Sequence, residues 1–374
     1  MGEIKYEENQ KKLGEIDFIL FAIILTLVCF GVIMVYSASS YSAAFKNNNA
    51  ELYLWKQLMW ASLGVISMIV TMNVDYHKYK RYTGKLMIIT IVLLLLVFVF
   101  PPVNGARRWI SLGPLGFQPS EIAKYVVVLF IAMFIDRKGE KIKSFKEGIF
   151  PCLAVAGVYA GLILAEKNLS ITAITMMVAL VMLLISGVEI KKFAKIFLPI
   201  VALGVVAIIF EPYRLRRVTG FMDPWKDAQG DGYQLIQSLL ALGSGGLTGV
   251  GIGQSRQKCF YIPEPHTDFI FAIVGEELGF IGCTFVVILF ILFLWRGLIA
   301  ILKSKDIYGT MLATGIVAII TLQAIINIAV VTVSMPTTGV PLPFISYGGS
   351  SLVINMTAMG ILLNITRQNN YKSL

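Results

Sequence analysis

Residues 18–37 read FILFAIILTLVCFGVIMVYS and carry no charged side chain. An α-helix rises about 1.5 Å per residue, so a helix of this length crosses the roughly 30 Å hydrocarbon core of a bilayer. The run is longer than the apolar region of a cleaved signal peptide, and the polar, mixed-charge residues 1–17 before it do not resemble one. The stretch therefore predicts a helix that spans a membrane.

Further apolar runs of similar length follow along the chain. The ten predicted spans are 18–37, 56–74, 84–101, 121–135, 149–166, 169–187, 193–210, 268–296, 309–334 and 348–366. Of the 374 residues, 57% are hydrophobic and 14% are charged, whereas soluble domains average about 45–50% apolar and about 25% charged. The sequence thus predicts an all-α integral membrane protein with about ten transmembrane helices in a single polytopic domain, 1–374, without internal repeats.

The formal charge is +10. The distribution of the basic residues fits a membrane topology and does not indicate a nucleic-acid partner. Basic residues cluster in alternate connections, which marks the cytoplasmic side. They are Lys5, Lys11, Lys12, Lys78, Lys80, Arg81, Lys85, Arg137, Lys138, Lys141, Lys143, Lys146, Lys191, Lys192, Lys195, Lys303 and Lys305. Both the segment 1–17 and the tail 367–374 are therefore predicted to be cytoplasmic.

The longest connection, 211–267, lies between the seventh and eighth predicted spans and hence outside the cytoplasm. Connections of this length are usually functional. Its stretch 233–242 suits a short helix at the membrane interface. Arg214, Arg216 and Arg217 form a basic patch that is either a solvated surface or a site for an anionic lipid headgroup.

The segment 261–271 reads YIPEPHTDFIF and leads into the eighth predicted span. Two prolines stiffen the approach, and Thr267 or Asp268 can cap the first turn of the helix. Asp268 is either such a cap or a carboxylate available for chemistry at the mouth of the span. Glu276 and Glu277 follow about two turns later, and at least one of them should face the protein interior.

A second polar cluster surrounds the start of the fourth predicted span. Arg107 and Arg108 can bind phosphate bidentately, and Trp109 offers either a flat surface for a sugar or an ordinary interfacial anchor. Glu121 and Lys124 are spaced i, i+3 on one helix face. They either pair with each other or line a polar cavity.

The third cluster, 335–351, reads MPTTGVPLPFISYGGSS, and its prolines and glycines exclude a continuous helix. Backbone N–H groups at the following helix start, around Gly348 and Gly349, can bind an anion, or the segment is a packed turn. Cysteines are scattered and there are only two histidines, so a structural zinc site is excluded.

Six strings together resemble the SEDS family (shape, elongation, division and sporulation), which includes FtsW, RodA and SpoVE. They are GARRWI at 105–110, QPSEIAK at 118–124, YRLRRVTGFMDPW at 213–225, GYQLIQS at 232–238, PEPHTDFIFA at 263–272 and PLPFISYGGSS at 341–351. The arginine-rich string is more similar to the FtsW and SpoVE branch. One departure falls at Glu166-Lys167-Asn168, where many members have a Pro-Asp in place of Lys-Asn and a glycine two residues later.

The resemblance implies ten transmembrane helices and a glycosyltransferase that polymerises lipid II at the outer face of the bacterial plasma membrane. It implies Asp268 as the essential carboxylate, and associates Trp109, Glu121 and Lys124 with activity or a central cavity. The substrate-binding hypothesis further includes His266, Ser346, Gly348 and Gly349. The implied partners are lipid II, undecaprenyl-pyrophosphate-linked glycan, a class B penicillin-binding protein and other divisome or elongasome proteins.

The expected chemistry uses Asp268 as a general base, with Arg107, Arg108 or the 214–217 arginines on the leaving pyrophosphate. A Mg²⁺ or Mn²⁺ ion bridging pyrophosphate and Asp268 is compatible with this, because hard cations favour oxygen ligands. Two alternatives stay open: a lipid II flippase and a non-catalytic divisome scaffold.

Overall fold

The computed structural model describes residues 14–102, 105–112, 115–230 and 232–369. Lys5, Lys11, Lys12, Asn104 and the end of the predicted tail lie outside the described residues. The helices are α1 Phe18–Asn47, α2 Leu52–Met72, α3 His77–Leu96, α4 Pro119–Lys138, α5 Phe150–Ala165, α6 Leu169–Ile185, α7 Ile190–Ile209, α8 Pro212–Met222, α9 Tyr233–Gly245, α10 Ile270–Leu302, α11 Ile307–Val331 and α12 Gly349–Asn369. Strands β1 Ile110–Leu112 and β2 Leu115–Phe117 form an antiparallel hairpin before α4.

The predicted class is confirmed, because each of the ten apolar runs coincides with one helix among α1–α7 and α10–α12. Within the described residues, seven helices are long and apolar enough to cross a bilayer by themselves. The helix α6 has only 17 residues, and α4 carries Glu121, Lys124 and Asp136 within its length. The count of ten spans therefore stays a prediction.

The core of the bundle is formed by α11 and α12, whose side chains are the most thoroughly buried of the spanning candidates. Small residues allow α12 to lie close against α2: a Cβ on Gly360 would come within 2.3 Å of the Met68 carbonyl oxygen. Thr71 Oγ1 donates to the Thr357 carbonyl across the same interface at 3.0 Å. Small residues and interhelical hydrogen bonds of this kind hold helices together where lipid removes the hydrophobic driving force.

The long connection 211–267 contains two helices. The predicted helix at 233–242 is confirmed as α9, which packs on α10 and α11 through buried residues including Leu235, Ile236 and Ala241. The helix α8 was not predicted, because its arginines were interpreted as a loop surface. Pro212 in its first turn explains the helix start, since the missing proline N–H costs nothing there.

After α9 the chain turns back into the bundle, and we call residues 245–258 the re-entrant segment. It packs where α10 breaks at Gly279, whose φ is 66° and ψ −162°. The N–H of Phe280 donates to the Gly246 carbonyl at 2.8 Å, and the N–H of Val250 donates to the Glu276 carbonyl at 2.9 Å. The segment thereby supplies hydrogen bonds that α10 loses at its kink.

Candidate functional site

Asp268 lies in the turn that precedes α10. The helix begins at Ile270 after Phe269, without a side-chain cap, so the predicted capping by Thr267 or Asp268 is wrong. The reason is a tight turn one step earlier, in which the Thr267 N–H donates to the Glu264 carbonyl at 3.0 Å. Thr267 Oγ1 lies 2.7 Å from the same carbonyl oxygen and 2.9 Å from Asp268 Oδ1. The Asp268 carboxylate is therefore not engaged by the helix start.

The segment 335–348, which connects α11 to α12, also contacts the turn that contains Asp268. Asn327 of α11 is buried, and its Nδ2 donates to the carbonyls of Asp268 at 2.7 Å and Val340 at 2.8 Å. The Tyr347 N–H donates to the His266 carbonyl at 2.8 Å. Gly339 has φ +73°, and a Cβ there would lie 3.8 Å from Asp268 Oδ2. Sequence reasoning missed Asn327, although an amide inside an apolar span was an available signal.

A cavity of about 560 Å³ opens beside Asp268. Its described lining includes the cationic side chains of Lys46, Arg217 and Lys258. The same wall contains His266 and the exposed Glu264. Cations that converge on one half-buried carboxylate suit a ligand that carries phosphate, because phosphate oxygens accept charge-assisted hydrogen bonds.

Burial raises the pKa of Asp268 above the usual aspartate range, and the Thr267 hydroxyl and Arg217 only partly offset it. Burial, reinforced by Lys46, lowers the pKa of His266 to about 4. The imidazole is thus neutral at physiological pH. It packs against the rings of Tyr53 at 4.4 Å and Tyr347 at 5.5 Å between centroids. The predicted substrate-binding His266 can exchange neutral hydrogen bonds in the cavity but supplies no positive charge.

The three predicted arginines of the 214–217 patch have different surroundings. Arg217 lines the Asp268 cavity, donates to the Thr337 carbonyl at 3.0 Å and lies 4.5 Å from the Tyr213 ring centroid. Arg214 lines a second cavity of about 280 Å³, of which Arg217 is also part of the wall. Arg216 is exposed and belongs to neither lining. The arginine nearest the chemistry is therefore Arg217.

The second predicted cluster lies apart from Asp268. Arg107 donates to the Phe98 carbonyl at 2.8 Å, and Arg108 Nε donates to the Glu166 carbonyl at 3.3 Å. Arg108 lines the second cavity. Trp109 packs over Gly116 in the β1–β2 hairpin and is not part of the Asp268 cavity wall.

Glu121 and Lys124 form the predicted ion pair, which confirms that interpretation of their spacing. Lys124 Nζ donates to Glu121 Oε2 at 2.7 Å, and Ser351 Oγ donates to the same oxygen at 2.8 Å. Both charged side chains are buried. A role of this pair in contacting substrate stays a prediction.

The turn before α12 is shaped by its own residues. Ser346 Oγ accepts a hydrogen bond from the Leu342 N–H at 2.8 Å. Gly349 begins α12 against the Trp60 indole, where a Cβ would come within 2.3 Å of the ring. Ser346 and Gly349 therefore serve the packing of this turn, and contact of Ser346, Gly348 or Gly349 with an anion stays a prediction.

The departure from the family pattern at 166–168 leaves the local structure intact. Asn168 caps α6 by accepting from the Ile171 N–H at 3.3 Å, as an aspartate there would. Glu166 is buried beside Arg108, and burial raises its pKa to about 8. Glu166 is therefore a carboxyl group whose charge is weakly stabilised.

Within the described residues, no three His, Cys, Asp or Glu side chains come together to hold a metal ion. The described part of the chain therefore shows no carboxylate cluster that would by itself hold the predicted Mg²⁺ or Mn²⁺. An ion between Asp268 and a substrate pyrophosphate would take its other ligands from the pyrophosphate and water, and it stays a prediction.

Comparisons with known proteins agree with this architecture. A family model described as "Cell cycle protein", which covers FtsW, RodA and SpoVE, matches residues 17–371. Stage V sporulation protein E of Bacillus subtilis is 44% identical over 361 residues, covering 95% of this chain and 98% of the relative. A protein named "Probable peptidoglycan glycosyltransferase FtsW" from Geobacter sp. (strain M18) is 43% identical over 356 residues, covering 94% of this chain and 96% of the relative.

Solved structures share the fold. A chain from a structure described as "Structural coordination of polymerization and crosslinking by a peptidoglycan synthase complex" aligns with a TM-score of 0.78 at 27% identity, covering 95% of this chain and 98% of that one. The rod shape determining protein RodA of Thermus thermophilus aligns with a TM-score of 0.70 at 24% identity, covering 96% of this chain and 98% of that one. The chain is a multi-pass membrane protein that belongs to the FtsW/RodA/SpoVE family of cell cycle proteins.

Proposed function

We propose that this protein is a peptidoglycan glycosyltransferase that polymerises lipid II at the outer face of the bacterial plasma membrane. One observation supports the proposal most strongly: the half-buried carboxylate of Asp268 has a raised pKa and borders a cavity that Lys46, Arg217 and Lys258 also line. The names of several relatives, such as the Geobacter FtsW protein, point to the same activity.

The reaction joins two lipid-linked sugars. The 4-hydroxyl oxygen of the acceptor sugar attacks the anomeric carbon of the donor, and Asp268 takes the hydroxyl proton as the new C–O bond forms. The bond between the anomeric carbon and the pyrophosphate oxygen breaks, and undecaprenyl pyrophosphate leaves with that electron pair. A raised pKa makes Asp268 a stronger base than an ordinary aspartate, provided that it is ionised before the reaction.

A cation at this cavity stabilises the negative charge that develops on the leaving pyrophosphate. Arg217 is the arginine best suited to this role, because it borders the same cavity as Asp268. Arg108 and Arg214 border the second cavity, where they can contact a more distant part of a lipid-linked substrate.

The basic residues of the alternate connections support a topology in which both termini are cytoplasmic and Asp268 lies at the opposite face. A transpeptidase of the penicillin-binding class is the proposed partner, since one structural relative belongs to a peptidoglycan synthase complex. A flippase is the main alternative function, but the predicted site residues cluster at one end of the bundle and no inverted repeat is seen in the sequence.

The test uses purified protein with its transpeptidase partner and fluorescently labelled lipid II. Asp268→Asn keeps the side-chain volume and should reduce glycan synthesis at least 100-fold, the range that general-base catalysis contributes. Asp223→Asn is the matched control, because it makes the same change at an exposed aspartate of the same connection that does not line the Asp268 cavity, and it should keep activity within a few fold. Glycan synthesis by folded Asp268→Asn at the wild-type rate would refute the mechanism, and lipid translocation without polymer would favour the flippase.

A further inference from the structure

Two adjacent buried carboxylates on α10, Glu276 and Glu277, are not used by the proposed reaction. They are 2% and 0% exposed. Buried carboxylates are tolerated where hydrogen bonds or cations satisfy them, and the partners of this pair all lie on the re-entrant segment or on α1. The prediction that at least one of them faces the protein interior is confirmed for both.

The Glu276 carboxylate anchors the end of the re-entrant segment by accepting hydrogen bonds from it, two of them from backbone N–H groups. It accepts from the Arg256 N–H at 2.8 Å, from the Gln257 N–H at 3.3 Å and from the Ser255 hydroxyl. Three donors on one carboxylate fix the direction of the chain at residues 255–257. The next residue, Lys258, consequently leaves this turn in a defined orientation.

Glu277 holds the side chain of Lys258. Lys258 Nζ donates to Glu277 Oε1 at 2.9 Å. Ser37 Oγ of α1 donates to Glu277 Oε2 at 2.5 Å, and the Ser255 N–H donates to Oε1 at 3.4 Å. Lys258 is only 4% exposed, so its ammonium group has lost most of its hydration. The charge of Glu277 offsets that cost.

Lys258 also borders the Asp268 cavity, together with Lys46 and Arg217. An ammonium group has three N–H donors, and the hydrogen bond to Glu277 uses one. The remaining donors are available to an anion that enters the cavity.

We infer that Lys258 binds the pyrophosphate of the lipid-linked substrate and that Glu277 is its positioning residue. The inference rests on the proposed function, since it assigns a further residue to the same cavity. The ligand class is a pyrophosphate ester, because Lys46, Arg217 and Lys258 supply positive charge to one enclosed space.

The decisive variant is Lys258→Met/Glu277→Gln, which removes both charges and leaves no unpaired buried ion. It is measured in phosphatidylcholine nanodiscs, so that anionic lipid headgroups do not compete. The KM for lipid II should rise about tenfold, as expected when one charge-assisted hydrogen bond to phosphate is lost. The concentration of inorganic pyrophosphate that halves activity should rise by a similar factor, while kcat changes less than threefold.

Arg256→Met is the matched control. It removes one positive charge two residues away, from an exposed side chain that is not part of the Asp268 cavity wall, and should leave both values unchanged. Wild-type KM and wild-type pyrophosphate inhibition in the double variant would overturn the inference. So would the absence of competition by pyrophosphate in the unmodified protein.

The positioning role of Glu277 is tested by the single variants. If Glu277 acts through Lys258, Glu277→Gln and Lys258→Met each raise KM, and combining them adds nothing further. Additive effects on KM would show that Glu277 acts independently of Lys258 and would overturn its assignment. Activity that survives Asp268→Asn would refute the proposed mechanism instead, so the two failures are distinguishable.

Discussion

The buried ion pair between Glu121 and Lys124 yields a quantitative prediction about stability. Lys124 Nζ and Glu121 Oε2 are 2.7 Å apart, and the two side chains are 0% and 3% exposed. Removing one partner of a buried pair leaves an uncompensated charge and typically costs about 3–5 kcal/mol. We therefore expect Lys124→Met to lower the free energy of unfolding by that amount.

Neutralising both partners should restore most of this loss. In Glu121→Gln/Lys124→Met no charge is buried, and a glutamine oxygen can still accept from the Ser351 hydroxyl, which lies 2.8 Å from Glu121 Oε2. We expect the double variant to unfold within about 1.5 kcal/mol of the wild type, because well-packed neutral replacements of buried ion pairs are often tolerated. Ser351→Ala alone should cost about 1.5–3 kcal/mol, the usual contribution of a hydrogen bond to a charged group.

The assay is SDS titration in mixed micelles, followed by far-ultraviolet circular dichroism, with lipid II polymerisation measured on the same preparations. A loss below about 1 kcal/mol in Lys124→Met would refute the reasoning, since it would mean that Glu121 is solvated or protonated without Lys124. A double variant that is stable but inactive would assign the pair to substrate handling, as the family resemblance implies. A double variant that is both stable and active would limit the pair to a structural role.

Three further predictions concern the turns around Asp268. Burial raises the pKa of Asp268, so polymerisation should fall as the pH drops through that pKa, which lies above the usual aspartate range. A pH–rate profile of kcat/KM without an acidic limb above about pH 4 would contradict this. Burial raises the pKa of Glu166 from 4.5 to about 8, so the stability of the fold is unaffected by this group below about pH 4.5 and declines as pH rises from there to about 8; Glu166→Gln should therefore stabilise the protein at pH 9 by about 2–4 kcal/mol relative to wild type, measured as a higher unfolding temperature, and leave its stability unchanged at about pH 4. Asn327→Ala removes the donor to the carbonyls of Asp268 and Val340. It should cost about 2–4 kcal/mol of stability and lower kcat. An unchanged kcat in the folded variant would show that Asp268 needs no support from α11.

The helices could be predicted from the sequence because the requirement that generates them is local. A stretch such as 18–37 must satisfy its own backbone in lipid, and a helix does so within the segment. The same local reasoning identified α9. It failed for α8, because the charge of Arg214, Arg216 and Arg217 was interpreted as a loop surface although these residues belong to a short amphipathic helix.

The arrangement around Asp268 depends on contacts that no local pattern encodes. Asn327 reaches Asp268 and Val340 from another helix, and Glu277 reaches Lys258 and Ser37. Each contact joins segments that are distant in the sequence, so its geometry follows from how the helices pack. The sequence could name Asp268 and the two buried glutamates, but not the residues that hold them.

The error about the helix cap bears directly on the proposed chemistry. A carboxylate that caps a helix accepts backbone N–H groups and interacts with the positive end of the helix dipole, and both effects lower its pKa and weaken it as a base. In this protein α10 begins two residues after Asp268, and the carboxylate instead receives hydrogen bonds from the Thr267 hydroxyl and from its own backbone N–H. Burial then dominates, and the pKa of Asp268 rises. The turn at Glu264–Thr267, by delaying the helix, thus gives Asp268 the basicity that proton removal from a sugar hydroxyl requires.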